Sequence, residues 1–196
     1  MNSNSDERRI SKEEMSALIS ACRKNNRVAQ IKLYDLYSKS MYNTCLRIVK
    51  DSMLAEDIVQ ECFLTAFQSI GSFRGDSSFF SWLRKIVINR SLDQIRKRKK
   101  FFEQIDEESD NYSDEIVDQK KDDVDEFDQE RLALLKKLIL ELPEGFRIII
   151  SLYFFEGYDH EEIAQILDIT PSTSRSQLTR AKRKLLKMYK EQTSST

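Results

Sequence analysis

The chain has 196 residues, 40% hydrophobic and 33% charged, with a formal net charge of −1; this is a polar globular composition with room for one ordinary domain or two small ones. Four glycines and two prolines favour long helices over a strand-and-turn fold. No apolar run reaches the ~20 residues that a bilayer demands, and MNSNSDERR lacks the build of a secretory signal, so a cytoplasmic protein without membrane insertion is expected.

Residues 1–10 read as a disordered tail, and Ser11 with Glu14 forms a capping box for a short helix, so 1–25 is tail and short helix. From Asn26, the residues Val28, Ile31, Leu33, Tyr34, Leu36 and Tyr37 recur at helical spacing. A second helix is expected from about Met41 to Val49. Asp51-Ser52 then caps a third, with Glu56 and Asp57 in its first turn, where the helix dipole favours acids. Leu54, Ile58, Cys62 and Ala66 share one face of it, and Gly71 ends it. The loop GSFRGDSSF (71–79) offers Asp76 or Ser77 as cap to a fourth helix, which carries Phe80, Leu83, Ile86, Val87 and Ile88 into RKRKK. Four helices around Phe79, Phe80 and Trp82 make one unit over 26–100.

Charge by segment is more informative than the average, because fields near a surface are local at cellular salt. Residues 84–100 hold eight Lys/Arg against one acid, a net of +7; residues 171–190 hold seven Lys/Arg and no acid, also +7. Between them, 101–130 hold fourteen Asp/Glu against two lysines, a net of −12. Such like-charge repulsion predicts a flexible acidic linker, helical only toward its end. The last unit, 131–190, opens with the amphipathic RLALLKKLILEL, in which Leu135, Leu138, Ile139 and Leu142 face inward. Pro143 starts a helix that stops near Gly157. Asp159 and Glu162 box a third, through Ile163, Ala164, Ile166 and Leu167, and after a turn at Asp168-Ile169, Thr170 caps a final helix with Pro171 in its first position.

A short helix, a tight turn and a longer basic helix make the helix-turn-helix plan. In that plan the first residues of the second helix reach base edges in the major groove. Here those are Ser172, Thr173, Ser174, Arg175, Ser176 and Gln177. Arg suits the two acceptors of guanine and Gln suits adenine; Arg180 and Arg183, further along, suit phosphates. The helix 80–100 has a polar face with Asn89, Arg90, Asp93, Gln94, Arg96 and Lys97, and the aromatics Phe73, Phe79, Phe80 and Trp82 lie beside it. Aromatics next to a basic helix can stack on single-stranded bases, although taken alone those rings are better explained by core packing. Cys22, Cys45 and Cys62 are odd in number and form no CxxC pair, which argues against a disulfide framework or zinc site; they read as small buried hydrophobes. His160 stands alone among possible ligands. No catalytic residues, metal site or cofactor is expected, and the chain reads as a non-enzyme.

LAEDIVQECFLTAF (54–67), FRGDSSFFSWLRKIVINRSLDQIRKRKK (73–100) and LPEGFRIIISLYFFEGYDHEEIAQILDITPSTSRSQLTRAKRKLL (142–186), in this order and split by an acidic linker, resemble the extracytoplasmic-function sigma factors, the smallest branch of the sigma-70 family. The resemblance implies an all-α protein of two small helical domains: a region 2-like four-helix domain over 26–100 and a region 4-like helix-turn-helix domain over 131–190, joined by the flexible acidic linker 101–130. It implies that Asp57, Gln60, Glu61 and Phe67 contact a coiled coil of the largest subunit of core RNA polymerase. It implies that Phe73, Arg74, Asn89, Arg90, Asp93, Arg96 and Lys97 capture the opened −10 element of promoter DNA. Ser172, Thr173, Arg175, Ser176, Gln177, Thr179, Arg180 and Arg183 would then read the −35 element, and an anti-sigma factor would be a further partner. Ser172-Thr173-Ser174 stands where the family often has Gly-Thr-Val, and Phe67 where Trp is common. Two readers on one tether gain effective concentration from each other, and 30 flexible residues reach roughly 30 Å. Two other readings fit parts of the sequence. A polymerase-independent helix-turn-helix regulator would bind a palindrome tightly by itself, and a helical antagonist of polymerase would not need the second basic helix.

Overall fold

The computed structural model describes residues 10–102 and 129–194, so the expected tail and most of the acidic linker lie outside the described residues. No strand occurs among the described residues. In chain order the helices are α1 (Lys12–Arg23), α2 (Arg27–Val49), α3 (Ser52–Gln68), a 3-10 turn (Ile70–Ser72), α4 (Phe79–Phe102), α5 (Gln129–Glu141), α6 (Glu144–Ile150), a π-helical turn (Ser151–Phe155) that continues it, α7 (His160–Leu167) and α8 (Pro171–Ser194).

The helix starts follow local chemistry. The Ser11 hydroxyl accepts from the Glu14 amide and the Glu14 carboxylate accepts from the Ser11 amide, which satisfies two donors that a helix start leaves free. The Asp51 carboxylate accepts from the Leu54 amide at 3.0 Å, and its acidity is raised chiefly by that bond. The fourth helix is capped by neither Asp76 nor Ser77 but by Ser78, whose hydroxyl accepts from the Ser81 amide at 3.1 Å.

The two helices expected across 26–49 are one. Leu33, Tyr37, Met41, Cys45 and Ile48 form an unbroken buried stripe along α2, so packing carries the helix straight through the polar Ser38-Lys39-Ser40. Val28 and Ile31, which the periodicity placed with the core, are 76% and 60% exposed. α3 stops at Gln68, three residues before Gly71, because Ile70–Ser72 tighten into the 3-10 turn that buries Ile70. The core of α1–α4 centres on Leu33, Met41, Ile48, Ile58, Phe63 and Leu83 rather than on the aromatic trio. Phe79 is buried, but Phe80 and Trp82 are half-buried at the edge.

α5–α8 close a second core from Leu138, Ile139, Leu142, Ile149, Ile150, Leu152, Ile163, Leu178 and Ala181. Leu135 is only half-buried. Ser151 donates its hydroxyl to the Arg147 carbonyl at 2.7 Å, a back-bond of the kind that loosens a helix. The chain then widens into the π turn, closed by the Glu156 amide on the Ser151 carbonyl at 3.1 Å. Gly157 follows at φ 74, a left-handed conformation that ends the helix without the penalty a Cβ would bring. α6 and the π turn lie against α2, and a single apolar cluster runs through both groups.

Candidate polymerase and nucleic-acid interfaces

α4 divides cleanly. Leu83, Val87, Ile88, Leu92 and Ile95 enter the core, which leaves Asn89, Arg90, Asp93, Arg96 and Lys97, at helical spacing, on the outer face. Asn89, Asp93, Arg96 and Lys97 are exposed and Arg90 is half-buried. The Arg90 guanidinium donates twice to one Glu61 carboxylate oxygen, at 3.2 and 2.7 Å, and this bond holds Arg90 more firmly protonated than usual. One expected DNA contact is thereby tied to one expected polymerase contact. Arg96 faces Asp93 at 3.5 Å and also donates to the Ile166 carbonyl of α7 at 3.3 Å.

Phe73 is not on this face. Its ring is buried, edge-on to Phe79 at 5.8 Å and 5.4 Å from Trp82, and its carbonyl accepts from Arg23 at 2.6 Å. It anchors the loop, while Arg74 stands exposed next to the left-handed Gly75. α1, read from sequence only as a short helix after the tail, therefore supports this loop from beneath.

On α3, Asp57, Gln60 and Glu61 are all exposed, while Phe67 is half-buried with its ring 5.9 Å from Phe63. Leu64, one turn beyond Gln60, is 63% exposed; Met53, Val28 and Ile31 are exposed as well, and Tyr34 packs its ring 4.8 Å from Phe63. Polar candidates and uncovered apolar side chains thus both lie on α2 and α3. Sequence reasoning missed Leu64, whose signal was its spacing of three and four from Glu61 and Gln60.

In the helix-turn-helix, Asp159 and Glu162 form the expected capping box. Asp168 takes the left-handed conformation at φ 58, and the Ile169 amide closes the turn on the Ala164 carbonyl at 3.0 Å. The Thr170 hydroxyl accepts from the Thr173 amide at 3.0 Å. Ser172, Arg175, Ser176 and Thr179 are exposed along one face of α8, with Arg180 and Arg183 half-buried further along it. Thr173 and Gln177 are half-buried at its flanks, and the Thr173 hydroxyl is already bonded to Thr170. Arg175 lies 3.6 Å from Glu161. His160 has a structural place that its isolation in the sequence concealed: its Nδ1 is 2.8 Å from the fully buried Ser174 hydroxyl and its ring stacks on Tyr153, which fixes α7 against α8.

The burial of the cysteines agrees with the sequence reading: Cys22, Cys45 and Cys62 are free thiols, sealed in the core. No metal-binding group of His, Cys, Asp and Glu exists among the described residues, and no described helix is long and apolar enough to cross a membrane.

The sigma-70 region 2 family matches residues 33–101 and the sigma-70 region 4 family matches residues 132–185. The RNA polymerase sigma-H factor of Pseudomonas aeruginosa is 28% identical over 178 residues, 88% of this chain and 92% of that one. The ECF RNA polymerase sigma-E factor of Haemophilus influenzae is 34% identical over 134 residues, 64% of this chain and 69% of that one. Among solved structures, the sigma factor RpoE of Bartonella quintana, in complex with the anti-sigma factor NepR, superposes with a TM-score of 0.54 at 25% identity, over 81% of this chain and 95% of that one. With a region 2 unit, a region 4 unit and curated relatives at this level of identity, the chain belongs to the extracytoplasmic-function sigma factors of the sigma-70 family.

Proposed function

We propose that this sigma factor binds core RNA polymerase through the exposed α2–α3 surface, reads duplex −35 DNA with α8 and holds unpaired −10 bases on the outer face of α4. The observation that supports it best is the placement of Asn89, Asp93, Arg96 and Lys97 on one open helix face and of Ser172, Arg175, Ser176 and Thr179 on another. Each face belongs to its own helical unit. Asp57, Gln60, Glu61 and Leu64 make the polymerase contact, with apolar side chains as anchor and acids for orientation. On α8, Arg175 reads base edges while Arg180 and Arg183 hold phosphates. A flipped −10 base gains stacking and hydrogen bonds that offset its unstacking. Opening draws on this binding energy and on polymerase contacts, not on nucleotide hydrolysis, so the protein is a transcription initiation factor with no reaction of its own. Its place of action is the cell interior, and an anti-sigma factor holds it in reserve. Run-off transcription with purified core polymerase tests the proposal. Promoter-specific starts are expected, and absence of initiation at every genomic promoter tried would refute it.

A further inference from the structure

The two helical units meet through buried charge. Glu156, at the end of the π turn, has only 3% of its side chain exposed. Its carboxylate accepts from Arg47 at 2.6 Å and from the Thr44 hydroxyl at 2.9 Å, both on α2, and faces Arg84 of α4 at 3.5 Å. These partners all lie in the other unit. Phe155 packs under the Arg47 guanidinium at 4.5 Å, and Arg84 lies between the rings of Phe80 and Tyr158, at 5.2 and 5.5 Å. Arg147, 4% exposed, donates to the Arg47 and Ile48 carbonyls at 2.9 and 3.2 Å. Those carbonyls end α2, where a helix leaves acceptors unsatisfied and carries partial negative charge.

The closed arrangement covers part of the proposed −10 face. Lys85, Ile88 and Asn89 of α4 share a narrow cleft with Tyr158, Glu162, Gln165 and Ile166. Arg96 donates across it to the Ile166 carbonyl. A DNA strand laid along α4 would meet α7 and the Glu162 carboxylate. The spacing of the promoter elements also forbids this arrangement in the bound state. Elements named for positions −35 and −10 lie about 25 base pairs apart, roughly 85 Å along a duplex, whereas the two readers here are in hydrogen-bond contact. The chain between the units, residues 103–128, can extend to about 90 Å, so covalent length permits their separation.

The geometry points to Glu156 as an electrostatic latch: its bonds to Arg47, Thr44 and Arg84 hold the free sigma factor closed, and the two units part when both promoter elements are engaged. The functional half of this statement rests on the sigma-factor reading; the latch itself does not. Buried ion pairs suit such a device. The expense of desolvating the charges nearly cancels their attraction, so the closed state is favoured only slightly while its geometry is tightly specified. Arg47 Nε and Arg84 Nε, both sealed from solvent, donate to no protein acceptor, which limits the gain further.

Small-angle scattering of the full-length chain without DNA or polymerase is the test, applied to E156Q and R47M, which break the same bond from opposite units. Each is expected to raise the radius of gyration by roughly a quarter above that of a compact chain, with helical content unchanged. The double variant is expected to open no further than either single, since one shared interaction is lost. Affinity for a promoter duplex without polymerase should rise several-fold in both. If one variant fails to fold, the other still decides the matter. Wild-type scattering from a folded variant would overturn the latch. Open variants beside a wild-type chain that cannot start transcription would uphold the latch and sink the sigma reading instead.

Discussion

Cys45 and Cys62 show how single side chains are set by their surroundings. Burial pushes the Cys45 thiol up to about 11, against a smaller opposing effect of the Ser91 hydroxyl 3.1 Å away. Burial also pushes Cys62 up to about 12, helped by the nearby Cys45. Both stay neutral, and a neutral buried thiol is a poor nucleophile. Iodoacetamide at about pH 8 is therefore expected to leave the native protein unmodified and to label all three cysteines after denaturation, as read by mass spectrometry. The folded values lie above the unfolded value near 9.0. Their contribution to stability is thus complete below about pH 9 and is lost as pH climbs toward 11 to 12. Replacing both by alanine should make the fall of the melting temperature over that range shallower. That the cysteines are core residues was legible from their count and spacing. That Glu156 and Arg147 are the charges joining the units was not, because their partners lie roughly a hundred residues away. The one local hint was an arginine set at the head of the apolar run RIIISLYFF.

Most helix starts were readable because capping is a matter of three or four neighbouring residues: Ser11, Asp51, Asp159 and Thr170 cap as their side chains dictate, and only α4 took Ser78 in place of Asp76 or Ser77. The fusion of α2 and the π turn were not, because each is decided by what packs against the helix from elsewhere in the chain. The same locality makes the helix-turn-helix testable element by element. Asp159→Ala removes the capping box and should cost about 1 kcal/mol of stability, measured by chemical denaturation. On α8, Arg175→Ala should erase about 1–3 kcal/mol of discrimination at one base pair. Arg183→Ala should instead weaken every duplex alike and reduce the slope of log affinity against log salt by about one. Anisotropy titrations at several salt concentrations separate the two. The reverse pattern would reassign which residues of α8 read bases. Of the −10 residues named from resemblance, Phe73 lies in the core, where the packing reading of its ring had put it.

For the molecule as a whole, the decisive relation is which surfaces remain free when the units are closed. The latch uses the C-terminal half of α2, at Thr44, Arg47 and Ile48, whereas Val28, Ile31 and Leu64 stay exposed toward its other end. On the docking proposed above, polymerase would reach the α2–α3 surface before the units part. Leu64→Asp is expected to abolish co-purification with core polymerase while leaving both melting temperature and radius of gyration as in the wild type; retained co-purification would place the docking surface elsewhere. The net charge of −1 gave no hint of this layout, and the segment charges marked only the two basic helices, α4 and α8.

The turn from Ser151 to Phe155 holds one residue more than regular winding accommodates. Each residue advances a regular helix by about 100°, so rewinding this turn with all its residues kept would swing the following carboxylate about a quarter-turn round the axis, away from its arginines, whereas excising one residue would let the backbone rewind with that carboxylate facing much as before. The chain's resting shape is in this sense recorded as a winding: a change of pitch over five residues, with every contacting side chain retained, would be enough to undo it.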